Sequence, residues 1–143
     1  MTNMSRISVT DYLDGLIDAY IELLERGIRD VCMPNIGDPE AIPDNKSVLL
    51  SRTFFDLVDR KAKAHGFGVL PVIDKRKLAG SSVADRLATI IFKKSARHKA
   101  LILRQLLLKD QKSAGDHRKI GRLFGYGEDA IREFIARQSG ITL

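Results

Sequence analysis

Cysteine, proline, long apolar runs and metal-ligand spacings are all scarce in this sequence, and each shortage removes a class of protein. The one cysteine, Cys32, leaves no intrachain disulfide and no multi-cysteine zinc site, which fits a reducing compartment. Its neighbours Val31 and Met33 mark it as a buried small side chain rather than a nucleophile. No apolar stretch approaches the roughly 18 residues a membrane span requires; the two greasiest, 87–92 and 101–108, are parted by Lys93, Lys94, Arg97 and Lys99. The opening MTNMSRISVT has neither the basic start nor the apolar centre of a signal peptide. A cytoplasmic protein with no membrane partner is therefore the expectation. His65, His98 and His117 show no HExxH or other ligand spacing, so no metal is expected. Gly80-Ser81-Ser82 lacks the Walker spacing and its lysine, and the pairs Asp14/Asp18 and Asp56/Asp59 read as the wet faces of single helices. With no catalytic constellation, neither an enzyme nor a cofactor is expected.

What is present is a globular composition, with 44% apolar and 29% charged residues, unlike that of disordered chains. The 143 residues suit one domain, 1–143, because single cores take roughly 100 to 200 residues. The net charge of +6 is divided unevenly. Residues 1–72 hold 8 Lys and Arg against 11 Asp and Glu, net −3, whereas residues 73–143 hold 16 against 7, net +9. A polyanion or an acidic protein surface is expected to meet the second half.

Apolar residues from Val9 through Leu13, Leu16, Ile17, Tyr20, Ile21, Leu24 and Ile28 to Val31 recur at three and four, which predicts an amphipathic helix. Pro34, Gly37, Pro39 and Pro43 make 33–45 an extended loop. A second helix is predicted over 46–65, with Val48, Leu49, Phe54, Phe55, Leu57 and Val58 inward and Gly66 as its left-handed stop. Residues 67–77 favour extended chain, and Pro71 restricts any strand there to an edge; a short ribbon is allowed and a full sheet is not. Gly80-Ser81-Ser82 is predicted to cap a third helix to about Lys94, striped by Val83, Leu87, Ile90 and Ile91. Ser95 then caps a fourth helix to about Lys112, whose Leu103, Leu106 and Leu107 are core and which packs against the first helix as hub. Two short helices close the chain. The fold class is all-α, about five or six helices in one domain, with at most a short β-ribbon near 67–73.

The segment HRKIGRLFGYGEDAIREFIA, residues 117–136, carries the one functional motif. Ile120, Phe124, Tyr126, Ile131 and Phe134 occupy the apolar positions of a two-helix corner. Gly121 is the small residue where the helices cross, and Gly125 sits where the chain must turn with positive φ. Asp116 is the expected cap of the first helix, within a corner spanning 116–138. The segment resembles helix-turn-helix DNA-binding domains in general. That resemblance implies that Gly127, Glu128, Asp129, Ala130, Arg132, Glu133 and Ala136 follow the turn on the side facing a major groove. Three of these are acidic and one basic, a composition that repels phosphate.

The candidate nucleic-acid-binding residues are Lys93, Lys94, Arg97 and Lys99, with His98 among them, together with Arg118, Lys119, Arg122 and Arg132. Lys93, Lys94, Arg97, Lys99, Arg118, Lys119 and Arg122 are expected to share one surface. Asp74-Lys75-Arg76-Lys77 is an exposed charged tip. Two readings follow: a small basic regulator that binds DNA or RNA, and a helical adaptor or inhibitor that binds a protein partner through its charged surface. Self-association is compatible with both.

Overall fold

A computed structural model describes residues 9–35, 47–73 and 86–138. The described residues form five α-helices around a small sheet: α1 (Val9–Glu25), β1 (Val31–Cys32), α2 (Ser47–Ala64), β2 (Gly68–Ile73), β3 (Arg86–Phe92), α3 (Arg97–Leu107), α4 (Ala114–Phe124) and α5 (Glu128–Gln138). The fold is mostly helical, as the composition and periodicity suggest, and the sheet is the departure from that expectation.

All strand pairs are antiparallel, in the order β1-β3-β2. Val31 lies opposite Phe92 and Cys32 opposite Ile91, while Gly68 to Val72 run against Phe92 to Ala88. Alternation along the strands sorts side chains to two faces. Cys32, Val69 and Ile91 join Leu13, Ile17, Ile21, Leu24, Phe54 and Val58 beneath α1 and α2. Val31, Leu70, Val72, Ile90 and Phe92 join Ala100 and Leu103 of α3 and Ile120, Leu123 and Phe124 of α4. The sheet is thus the middle of three layers. Pro71 sits in β2, an outer strand, where a missing N–H is tolerated.

Three sequence expectations are corrected by this arrangement. The third helix is a strand from Arg86 to Phe92, and residues 80–85 lie outside the described residues, as does the charged tip 74–77. Its Ile90 and Ile91 are fully buried against opposite helical layers. A short apolar run covered on both faces has no period that separates it from a buried helix. The first helix stops at Glu25, and Val31 continues the three-and-four spacing only by coincidence, since it belongs to β1. Finally, α1 and the apolar α3 do not form a joint hub, because β3 lies between their two clusters and takes that role.

Other expectations stand with adjusted detail. The second helix spans Ser47–Ala64 and ends before Gly66 at φ +80°. The fourth predicted helix is α3, shorter at both ends, entered through a 3-10 turn at Lys94–Ala96 with no side-chain cap from Ser95. Leu103 and Leu106 are buried, Leu107 is half-buried, and Ile102 is 47% exposed. Of the proline-rich loop, residues 36–45 lie outside the described residues.

Candidate functional site

The C-terminal corner is built as its residues require. Ser113 caps α4 in a reciprocal box: its hydroxyl accepts from the Asp116 N–H at 3.1 Å, and the Asp116 carboxylate accepts from the Ser113 N–H at 2.9 Å. Asp116 is therefore the box partner three residues in, and Ser113 rather than Asp116 is the cap. Lys109 adds a 2.8 Å ion pair to the same carboxylate. The Lys109 hydrogen bond, reinforced by the Ser113 N–H, lowers the Asp116 pKa from 3.8 to about 2.

Gly125 ends α4 at φ +84°, the left-handed region that a side chain disfavours. At the crossing, a Cβ on Gly121 would stand 2.6 Å from Ile131 Cγ1, so the helices meet where only glycine fits. Ile131 is buried there. Two of the motif's apolar positions face outward instead, with Tyr126 52% and Phe134 41% exposed. Ala136, expected on the side facing a groove, is buried: the second helix turns this position inward to its packing face. Sequence reasoning missed Arg29. Its guanidinium donates to the Gly125 carbonyl at 2.9 Å and lies 5.5 Å from the Tyr126 ring centre, tying the turn to the segment before β1. A contact spanning 96 residues leaves no local pattern to read.

Five of the eight basic candidates line two depressions, and Lys93, Lys94 and Arg97 do not. Lys99 of α3 and Lys119 and Arg122 of α4 line one shallow depression floored by Ile102 and Leu123. Arg118 and Arg132 line the adjoining α4–α5 groove with Glu128, Ile131 and Ile135. Arg122 joins the two, since its Nε donates to Glu128 Oε1 at 2.8 Å. Lys93 sits beside this strip, sharing Asp30 with Lys99 at 3.7 and 2.7 Å. Lys94 and Arg97 are exposed but line neither depression.

Asp30 was not singled out by the sequence reading either. The Lys99 hydrogen bond, with the Lys93 charge behind it, draws its pKa below the usual carboxylate value. Glu128 is drawn down likewise by the Arg122 hydrogen bond and by the charges of Arg118 and Arg132. Arg132 stands 3.7 Å from Asp129 on an open surface, where such a pair contributes little. Among the described residues Lys94, Arg97, Arg118 and Lys119 have no carboxylate within ion-pair distance.

Asp14 and Asp18 both hold Lys61, at 2.5 and 2.7 Å, and Asp59 holds Arg86 at 3.0 Å. Burial pushes the Cys32 thiol up to about 11, which favours its protonated form at neutral pH. No family model, curated protein or solved structure matches this chain.

Proposed function

We propose that this protein is a small nucleic-acid-binding regulator, acting by binding rather than catalysis, whose docking surface is the strip made by α3, α4 and the start of α5. The observation that carries this reading is the convergence of Lys99, Lys119 and Arg122 from two helices on one depression, directly beside a two-helix corner with a left-handed glycine turn. Arg118 and Lys119 serve as phosphate contacts, which fix register without reading sequence, while Lys99 is shared with Asp30 beside them. Arg122 and Arg132 flank the N-terminus of α5, whose backbone N–H groups favour anions. Glu128 is occupied by Arg122 and presents no isolated negative charge to a phosphate. Asp129 and Glu133 remain exposed and repel phosphate, so the backbone contacts fall to the α3–α4 side of the strip.

Fluorescence anisotropy with labelled duplex DNA, single-stranded DNA and RNA tests the reading. Affinity for at least one should fall steeply between about 50 and 200 mM salt, and Lys119→Ala should weaken binding and reduce the salt slope by about one. No binding at low salt, or binding indifferent to Lys119→Ala, would overturn it.

The exposed Asp129, Glu133 and Phe134 favour a second reading, an adaptor that meets a basic protein through α5. The double substitution Asp129→Asn, Glu133→Gln raises nucleic-acid affinity on the first reading by relieving repulsion. On the second it weakens the protein complex and leaves nucleic acid untouched.

A further inference from the structure

We infer that the cavity between the end of α3, α4 and α5 is a binding site for a small organic acid with an apolar body, a fatty or aryl carboxylate. The cavity measures about 530 Å³, within the range of roughly 300 to 1,000 Å³ typical of small-molecule sites. Phe124, Tyr126, Ile131 and Phe134 form its apolar walls, and Lys112 and Arg137 are its charged lining residues. No carboxylate lines it among the described residues. In a corner where Asp116, Glu128, Asp129 and Glu133 all lie close in sequence, an opening that carries cations only is complementary to an anionic head.

Two features separate this cavity from a gap in packing. Tyr126 and Phe134 are large side chains left half in water at its rim, so a ligand's apolar body would remove from water area that the fold itself leaves wet. Neither cation is consumed by an ion pair among the described residues: Lys112 only donates to the Lys109 carbonyl at 3.0 Å. The inference goes beyond the nucleic-acid reading and does not need it. At about 100° per residue, Ile120 and Phe124 point to the side of α4 opposite Lys119 and Arg122, so cavity and basic strip occupy different faces.

Calorimetric titration of the intact protein with decanoate, decanol and decylamine, all below their aggregation concentrations, tests it. These probes share one apolar body and differ in the head. Decanoate should bind most tightly, by about tenfold or more over decylamine. Arg137→Glu should weaken decanoate and strengthen decylamine, whereas Arg60→Glu, the same charge change on α2, should alter neither. Ala130→Trp adds bulk from an exposed lining position of α5 and should abolish decanoate binding. Equal affinity for acid and amine, no decanoate binding at millimolar concentration, or decanoate binding unchanged by Ala130→Trp overturns the inference. If Ala130→Trp does not fold, the head-group series on the unmodified chain still decides.

Discussion

The α1–α2 layer and the α4–α5 corner are both helix pairs, yet the first buries Leu13, Ile17, Ile21, Leu24, Phe54 and Val58 almost completely, while the second meets through Gly121 and Ile131 and leaves Tyr126 and Phe134 half in solvent. The charges differ in the same sense. Lys61 and Arg86 are both held by the carboxylates of α1 and α2, whereas Lys119 and Arg118 stand exposed on α4. Part of the basic excess of the second half is also spent on the first: Arg86 goes to Asp59, and Lys93 and Lys99 go to Asp30. Net charge in sequence therefore overstates the charge left unpaired after folding. The α1–α2 layer carries closely buried apolar side chains, and the corner carries exposed cations and exposed rings.

Two phenylalanines, one in each region, test that division directly. Phe54→Ala should cost about 3 to 5 kcal/mol in urea unfolding, whereas Phe134→Ala should cost about 1 kcal/mol or less. Similar losses at the two sites would break the contrast. A middle-sized effect probes the tight crossing. Gly121→Leu forces a side chain into Ile131 and should cost about 1 to 3 kcal/mol. Its structural signature should be local, moving the NMR resonances of His117 and Phe134, whose rings lie 5.4 Å apart, and sparing those of Phe54. Changes spread through the α1–α2 layer would show that the corner is not separable from the core.

The smallest effect concerns pH. Asp116 has a folded pKa of about 2 against the ordinary 3.8, so its ionised form is favoured by folding. That stability is fully present above the ordinary value and is lost as pH falls through the folded one. The urea-midpoint difference between the unmodified protein and Asp116→Asn should therefore be flat from neutrality to about pH 5 and shrink between about pH 4 and 2. A difference independent of pH over that window would mean that Lys109 and Ser113 do not act on the charge.

Legibility followed the range of the interactions. The period of α1, the stop at Gly66 and the Gly121–Gly125 spacing of the corner are local consequences of backbone sterics and side-chain direction, and each was readable within a few residues. The cap of α4 was misplaced by three residues because Ser113 and Asp116 share the role, and the motif spacing alone does not say which accepts first. Of the candidate site, α4 and α5 were legible as a corner. The shared surface expected of seven cations is met in part, since Lys99, Lys119 and Arg122 line one depression while Lys94 and Arg97 line neither; that Lys93 and Lys99 would be held by Asp30 was not legible.

Composition and short-range periodicity suffice for a folded, cysteine-poor, basic chain with helices at both ends and a glycine-turned corner. Tertiary structure alone decided the sheet. Strand β3 is a strand because Val31, Cys32 and the 68–73 segment pair with it from far along the chain, and its buried run carries no internal period that says so. Tertiary structure likewise decided which cations are spent and which are free, since ion pairs form between residues that folding, not sequence, brings within reach.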